Sequence, residues 1–230
     1  MNQSVRSGVV AQELLRLEAH AVLLKEIYRL GVGKCEPSVR LALLFATVLK
    51  LLRMVEAVEL LAREQFVEEI QSLGRTMAEV TINAAYLQSA EDEEVDRFQH
   101  FDTQSAFKHA ARLRPHATTK LSAVDLKRIE EVAEKARLLT GRKDADASWS
   151  KRTLLQRAEY SDKITRLDIM KLLVLTSYAH GHSAVHGTYD AMDVFISSFN
   201  ESQMHSQDKR EEGLFVAVAS VNYSLYIMSF

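Results

Sequence analysis

Apolar residues recur along this chain at spacings of three and four, and short polar or glycine-bearing stretches break that rhythm into segments. A repeat near 3.6 residues is the mark of helices that bury one face. The first segment runs from about Val9 to Leu30, with Leu14, Leu17, Val22 and Leu24 on its inward face, and stops at Gly31. Pro37 and Ser38 open a second helix through about Glu64, and its run from Leu41 to Leu52 is apolar nearly all round. That pattern predicts a helix packed on several sides. A third helix is expected over about Phe66 to Ser89. Its residues Phe66, Ile70, Leu73, Met77, Val80, Ala84 and Leu87 follow the alternating four-three spacing of a helix packed against neighbours. After Gly74 the opposite face (Ala78, Ile82, Ala85, Tyr86) is also poor in charge, which predicts a central position.

A fourth helix, about Glu91 to Arg114, begins with acidic residues and ends with basic ones, complementing the helix dipole, and Pro115 ends it. The fifth, about Ser122 to Thr140, opens with Ser122 and Asp125 as cap and first-turn acid, and turns Leu126, Ile129, Ala133, Ala136 and Leu139 inward. Residues 141–150 read as a loop that carries the only tryptophan, Trp149. Helical pattern resumes over about Lys151 to Tyr160 and Arg166 to Tyr178, and a His- and Gly-bearing stretch follows. Asn200 to Glu212 reads as a polar loop into a last helix.

Composition agrees with this pattern. With 8 glycines and 2 prolines in 230 residues, the chain lacks the turn residues of a β or doubly wound fold. The fold class is all-α, and the loops separate segments expected to share one core, so residues 1–230 are read as a single domain, a bundle of long helices. A net charge of −2 argues against a general electrostatic grip on nucleic acid or anionic membrane, without excluding a local basic patch. The lone cysteine, Cys35, allows no internal disulfide and fits a reducing, cytoplasmic setting. The N-terminal stretch turns charged too soon for a secretory signal. Gly213 to Phe230 is uncharged, but Ser220, Asn222, Tyr223, Ser224 and Ser229 interrupt it, so a buried closing helix is expected rather than a membrane anchor.

The feature most suggestive of chemistry is a polar seam on the third helix, where Arg75, Glu79 and Asn83 share one face at i, i+4, i+8. Charge on a helix otherwise so apolar is expected to be partly buried, and ions buried without partners cost several kcal/mol each. The seam is either an ion pair that pins helix register or a ligand-binding or catalytic site. A second feature is the histidine cluster around His180, His182 and His186. His182 and His186 stand at i, i+4 and are the candidate metal ligands, but no HExxH-type signature accompanies them. The alternative places a histidine, with Ser183 or Thr188, in hydrogen bonds to the cavity that holds Glu79. Asn83, Tyr178, His182, Ser183 and Thr188 are the candidate pocket residues around Arg75, Glu79 and His186. The runs Arg97 to His100 and Arg112 to His116 offer phosphate contacts, although solvated helix ends account for them. GxxxxGK[ST], GxGxxG and G-x-S-x-G are all absent, and no cofactor is expected.

Arg75-Thr76-Met77-Ala78-Glu79 resembles the R-[ST]-x-x-E signature of an uncharacterised bacterial all-helical domain-of-unknown-function family. Ser183-Ala184-Val185-His186-Gly187-Thr188 is similar to its S-x-x-x-H type signature, matched loosely as S-x-x-H-G-T. The resemblance implies no defined activity. It singles out Arg75, Glu79 and His186. More distantly the bundle resembles HEPN ribonucleases and toxins of bacterial defence systems, whose Arg-x(4–6)-His motif has no counterpart at that spacing here. Two readings follow. The first is a regulatory or interaction protein with an Arg75–Glu79–His186 cluster, acting through a protein partner or a second copy. The second is a metal-independent ribonuclease, with His186 as general acid or base, Arg75 stabilising phosphate charge and Glu79 orienting one of them.

Overall fold

The computed structural model describes residues 3–32, 34, 38–113, 122–140, 149–178 and 203–228, and the regular structure among them is helical. Contacts divide the chain into two compact units, Met1–Gln88 with Leu154–Phe230, and Ser89–Thr153.

The first unit holds α1 (Gln3–Gly31), α2 (Val39–Arg63) and α3 (Val67–Ser89, less its last residue), then α6 (Leu154–Thr165), α7 (Met170–Leu173) and α8 (Gln203–Met228). Ser38 starts α2 as expected, its Oγ accepting from the Leu41 amide at 3.1 Å. Between α2 and α3 the chain turns without glycine or proline. Gln65 takes φ 60°, and the Phe66 amide donates back to Leu61 O at 3.0 Å, a helix-ending turn usually built on glycine. Phe66 therefore lies outside the helix and stays exposed.

α1 and α8 pack along each other, and α2 packs against both. Their core is built from Leu17, Leu24, Leu51, Val55, Val218 and Leu225, joined by Ile70 and Met77 of α3. A second cluster joins Ala78 and Ile82 of α3 to Ala158 of α6 and to Met170 and Leu173 of α7. Each fully buried aliphatic side chain contributes roughly 1.5–3 kcal/mol. α3 belongs to both clusters, so it is central within this unit, as its two apolar faces predict.

Not every apolar position lies inside. Val22, assigned to the inward face of α1, is 61% exposed, and Leu49 and Leu60 of α2 are also exposed. α2 is thus covered on fewer sides than its composition suggests. The last helix begins near residue 203 rather than after 212, because the polar stretch there holds helix-forming Gln, Lys, Arg and Glu and no proline. Among the described residues no helix is long and apolar enough to cross a membrane.

From α6 the chain bends at Arg166, which has φ 59°. The bend is held by Asp162, a buried residue. Its Oδ1 accepts from the Ile169 and Met170 amides at 3.2 and 2.8 Å, and its Oδ2 accepts from the Lys171 amide at 2.8 Å. A side chain of one helix thereby caps the next. α7 runs on into a π-helical turn, Val174–Tyr178. Ser177 in that turn donates to Ser220 O of α8 at 3.3 Å.

The second unit packs α4 (Asp92–Leu113) against α5 (Ala123–Thr140). Ser122 caps α5 as expected, accepting from the Asp125 amide at 3.1 Å and donating to its carboxylate at 2.6 Å.

Candidate functional site

α3 carries the seam, and α6 with the π turn supplies what faces it. Arg75, Glu79 and Asn83 are all half-buried. The Arg75 Nη2 donates to the Tyr178 hydroxyl at 3.1 Å, and the guanidinium carbon lies 4.6 Å from the centroid of the same ring. Such a cation–π contact contributes about 0.5–2 kcal/mol. Nη1 of Arg75 is shielded and finds no hydrogen-bond partner among the described residues. Two turns further along, Asn83 Oδ1 accepts from Nη1 of Arg157 at 2.6 Å. Arg157 is 5% exposed and sits on α6, which also meets α3 through an edge-to-face pair of Tyr86 and Tyr160, 5.3 Å between centroids.

Glu79 lies between these two attachments. Among the described residues it forms no hydrogen bond and no ion pair, including none with Arg75 one turn away. The internal Arg75–Glu79 pair that the spacing suggests is therefore not what holds the seam. Arg75 turns instead to Tyr178, which meets it with both a hydroxyl and an aromatic face. Arg75 is bound to the neutral Tyr178 and Arg157 bonds Asn83, and among the described residues the Glu79 carboxylate has no counter-ion.

Of the predicted residues, the structure brings Tyr178 to Arg75. Asn83 belongs to the same face but is bound to Arg157. His182, Ser183, His186 and Thr188 lie outside the described residues, as does the His182/His186 metal candidate. Among the described residues no group of three His, Cys, Asp or Glu is placed to hold a metal ion.

Sequence reasoning missed Arg157 and Asp162. Arg157 was detectable by the argument that found Arg75, since it is a charge set on an inward face between Leu154, Ala158 and Ser161. Arg97, read as a solvated helix-end cation, is only 5% exposed. It bonds Glu94 at 2.7 Å and also reaches Glu93. The other oxygen of Glu94 accepts from Ser150 at 2.6 Å, and Trp149 beside it stands edge-on to Phe98, 4.9 Å between centroids. This buried network ties residues 149–150 to α4. It leaves Arg97 unavailable as a phosphate contact.

A model of a family of unknown function (DUF5677) matches residues 41–204. The matched span contains the whole α3 seam, Arg157, Tyr178 and the segment from His182 to Thr188. No curated protein and no solved structure matches the chain.

Proposed function

Because the chain belongs to DUF5677, a family of unknown function, we propose from its geometry that it is a non-catalytic interaction or regulatory protein whose α3 seam offers Glu79 to a basic group of a protein partner. The observation that carries this reading is the isolation of Glu79. It is half-buried with no cation to answer it among the described residues, while Arg75 and Arg157 are bound to Tyr178 and Asn83. A carboxylate removed from part of its hydration without a compensating bond is unfavourable in the isolated protein. A lysine or arginine of the partner, or of a second copy, supplies the missing charge. The single cysteine accords with a cytoplasmic setting for that partner.

The test is the melting temperature of Glu79→Gln and Glu79→Ala against the unmodified protein. A residue kept for binding at the expense of stability gives an unchanged or raised midpoint. A loss of about 3–5 kcal/mol, the cost of breaking a buried pair, would sink the reading.

One observation favours a second reading. The shielded, unpartnered Nη1 of Arg75 is a donor that a phosphate oxygen would satisfy. On this reading the chain is a metal-independent ribonuclease of a bacterial defence or toxin system, with His186 as general acid or base. RNA cleavage in the presence of a chelator, lost in both Arg75→Ala and His186→Ala, would replace the interaction role with this one.

A further inference from the structure

Where α1 and α8 meet, they line a cavity of about 330 Å³. Its lining comes from residues 13–20 and 215–226, wholly outside the 41–204 span of the family match. Whatever it takes is therefore separate from what the family shares, and from the Glu79 reading.

The polar side of the cavity is built on a buried pair. Glu13 is 7% exposed and Asn222 is 6% exposed. Asn222 Nδ2 donates to the Glu13 carbonyl oxygen at 2.8 Å and to Glu13 Oε2 at 2.9 Å, and Arg16 donates to Oε1. Both Asn222 bonds require an amide nitrogen, which fixes the orientation of the group. Asn222 Oδ1 is thereby left a shielded acceptor with no donor among the described residues, and His20 Nδ1 is likewise shielded and unpartnered. Asn222 lines the cavity, and its Oδ1 is an acceptor that a donor on a bound group would satisfy.

The rest of the lining narrows the class of ligand. Phe215, Tyr223 and Tyr226 present rings, and the His20 ring lies 6.1 Å from that of Tyr226. The one carboxylate already holds Arg16 and Asn222, so it has little left for a cationic ligand. The Arg16 side chain is 60% exposed, and its bond to Glu13 is its only one among the described residues, so most of its donor fork faces solvent. The donors of that fork not used by Glu13 suit a carboxylate or phosphate.

We propose that this cavity binds a small flat heterocycle that bears an N–H donor and one anionic group, the chemistry of a mononucleotide. The ring lies among Phe215 and Tyr226, its N–H serves Asn222 Oδ1, and Arg16 takes the anion. The volume falls in the range of small-molecule sites, which is roughly 300–1,000 Å³.

The experiment titrates adenosine 5′-monophosphate and indole-3-acetate into the full chain and follows the His20 and Tyr226 ring resonances by NMR. Adenosine and inorganic phosphate serve as controls. The expected result is saturable movement of both rings with at least one anion-bearing probe, and at least about tenfold weaker binding of adenosine or phosphate alone. Arg16→Gln, a change at a mostly exposed side chain, should weaken that probe by about tenfold. The proposal is overturned if neither probe moves these resonances at millimolar concentration, if Arg16→Gln leaves the affinity unchanged, or if the controls bind as well. Tyr226→Leu gives a second, independent loss, and an unchanged affinity there also counts against the site.

Discussion

Replacing Asp162 by alanine removes the acceptor for the Ile169, Met170 and Lys171 amides at a 6% exposed position. A helix cap alone is worth up to about 2 kcal/mol, and each further bond to a charged acceptor adds about 1 kcal/mol or more. The expected loss for Asp162→Ala is therefore about 3–4 kcal/mol. At about 2–4 °C per kcal/mol for a chain of this size, the melting temperature falls by roughly 10 °C. Asp162→Asn retains one acceptor oxygen, so its loss should be about half as large. The assay is a urea titration followed by far-UV circular dichroism, because the single tryptophan, Trp149, belongs to the other unit. The cap also fixes the start of the α7 segment that ends at Tyr178. Arg75→Met should then cost less in the Asp162→Ala background than in the native one. A loss below about 1 kcal/mol for Asp162→Ala, or equal losses for alanine and asparagine, would refute this reasoning.

Three further changes test other parts of the packing. Arg97→Met removes the cation bound to Glu94, which is 9% exposed and keeps its bond from Ser150, and should destabilise the second unit by about 1–3 kcal/mol, read as a red shift of Trp149 emission at lower denaturant. Gly74→Ala should raise stability by about 0.5–1 kcal/mol by thermal melt, since helix propensity favours it. Its added Cβ meets Val221 at an ordinary 3.5 Å. Gly31→Ala should not help, because its Cβ would lie 2.8 Å from the Phe45 ring.

The helical class was legible because glycine and proline are scarce and apolar spacing is regular. The caps at Ser38 and Ser122 were legible because each is a hydroxyl set just before a periodic run. The α2–α3 turn was placed between Glu64 and Phe66, within a residue of where it lies, but its left-handed Gln65 was not signalled because no glycine stands there. Val22 and Leu49 misled because periodicity reports which face is apolar, not whether a neighbour covers it. At the site, Arg75 stood out as charge on an apolar helix. Tyr178 was named among the pocket residues around it, but the direct bond was not foreseen, because Tyr178 is 103 residues away and arrives on a π-helical turn that no spacing rule anticipates. The reach of Asp162, seven to nine residues forward to the amides it caps, left no mark in the sequence either.

The central claim is that Glu79 is not committed to Arg75. A double-mutant cycle of Arg75→Met and Glu79→Gln, measured by urea denaturation, tests it most directly. The account predicts a coupling no larger than about 0.5 kcal/mol, the scale of an ordinary i,i+4 pair on a helix. A coupling above about 1.5 kcal/mol would show that the two residues act as a structural ion pair, and would contradict the claim that Glu79 is held for a partner.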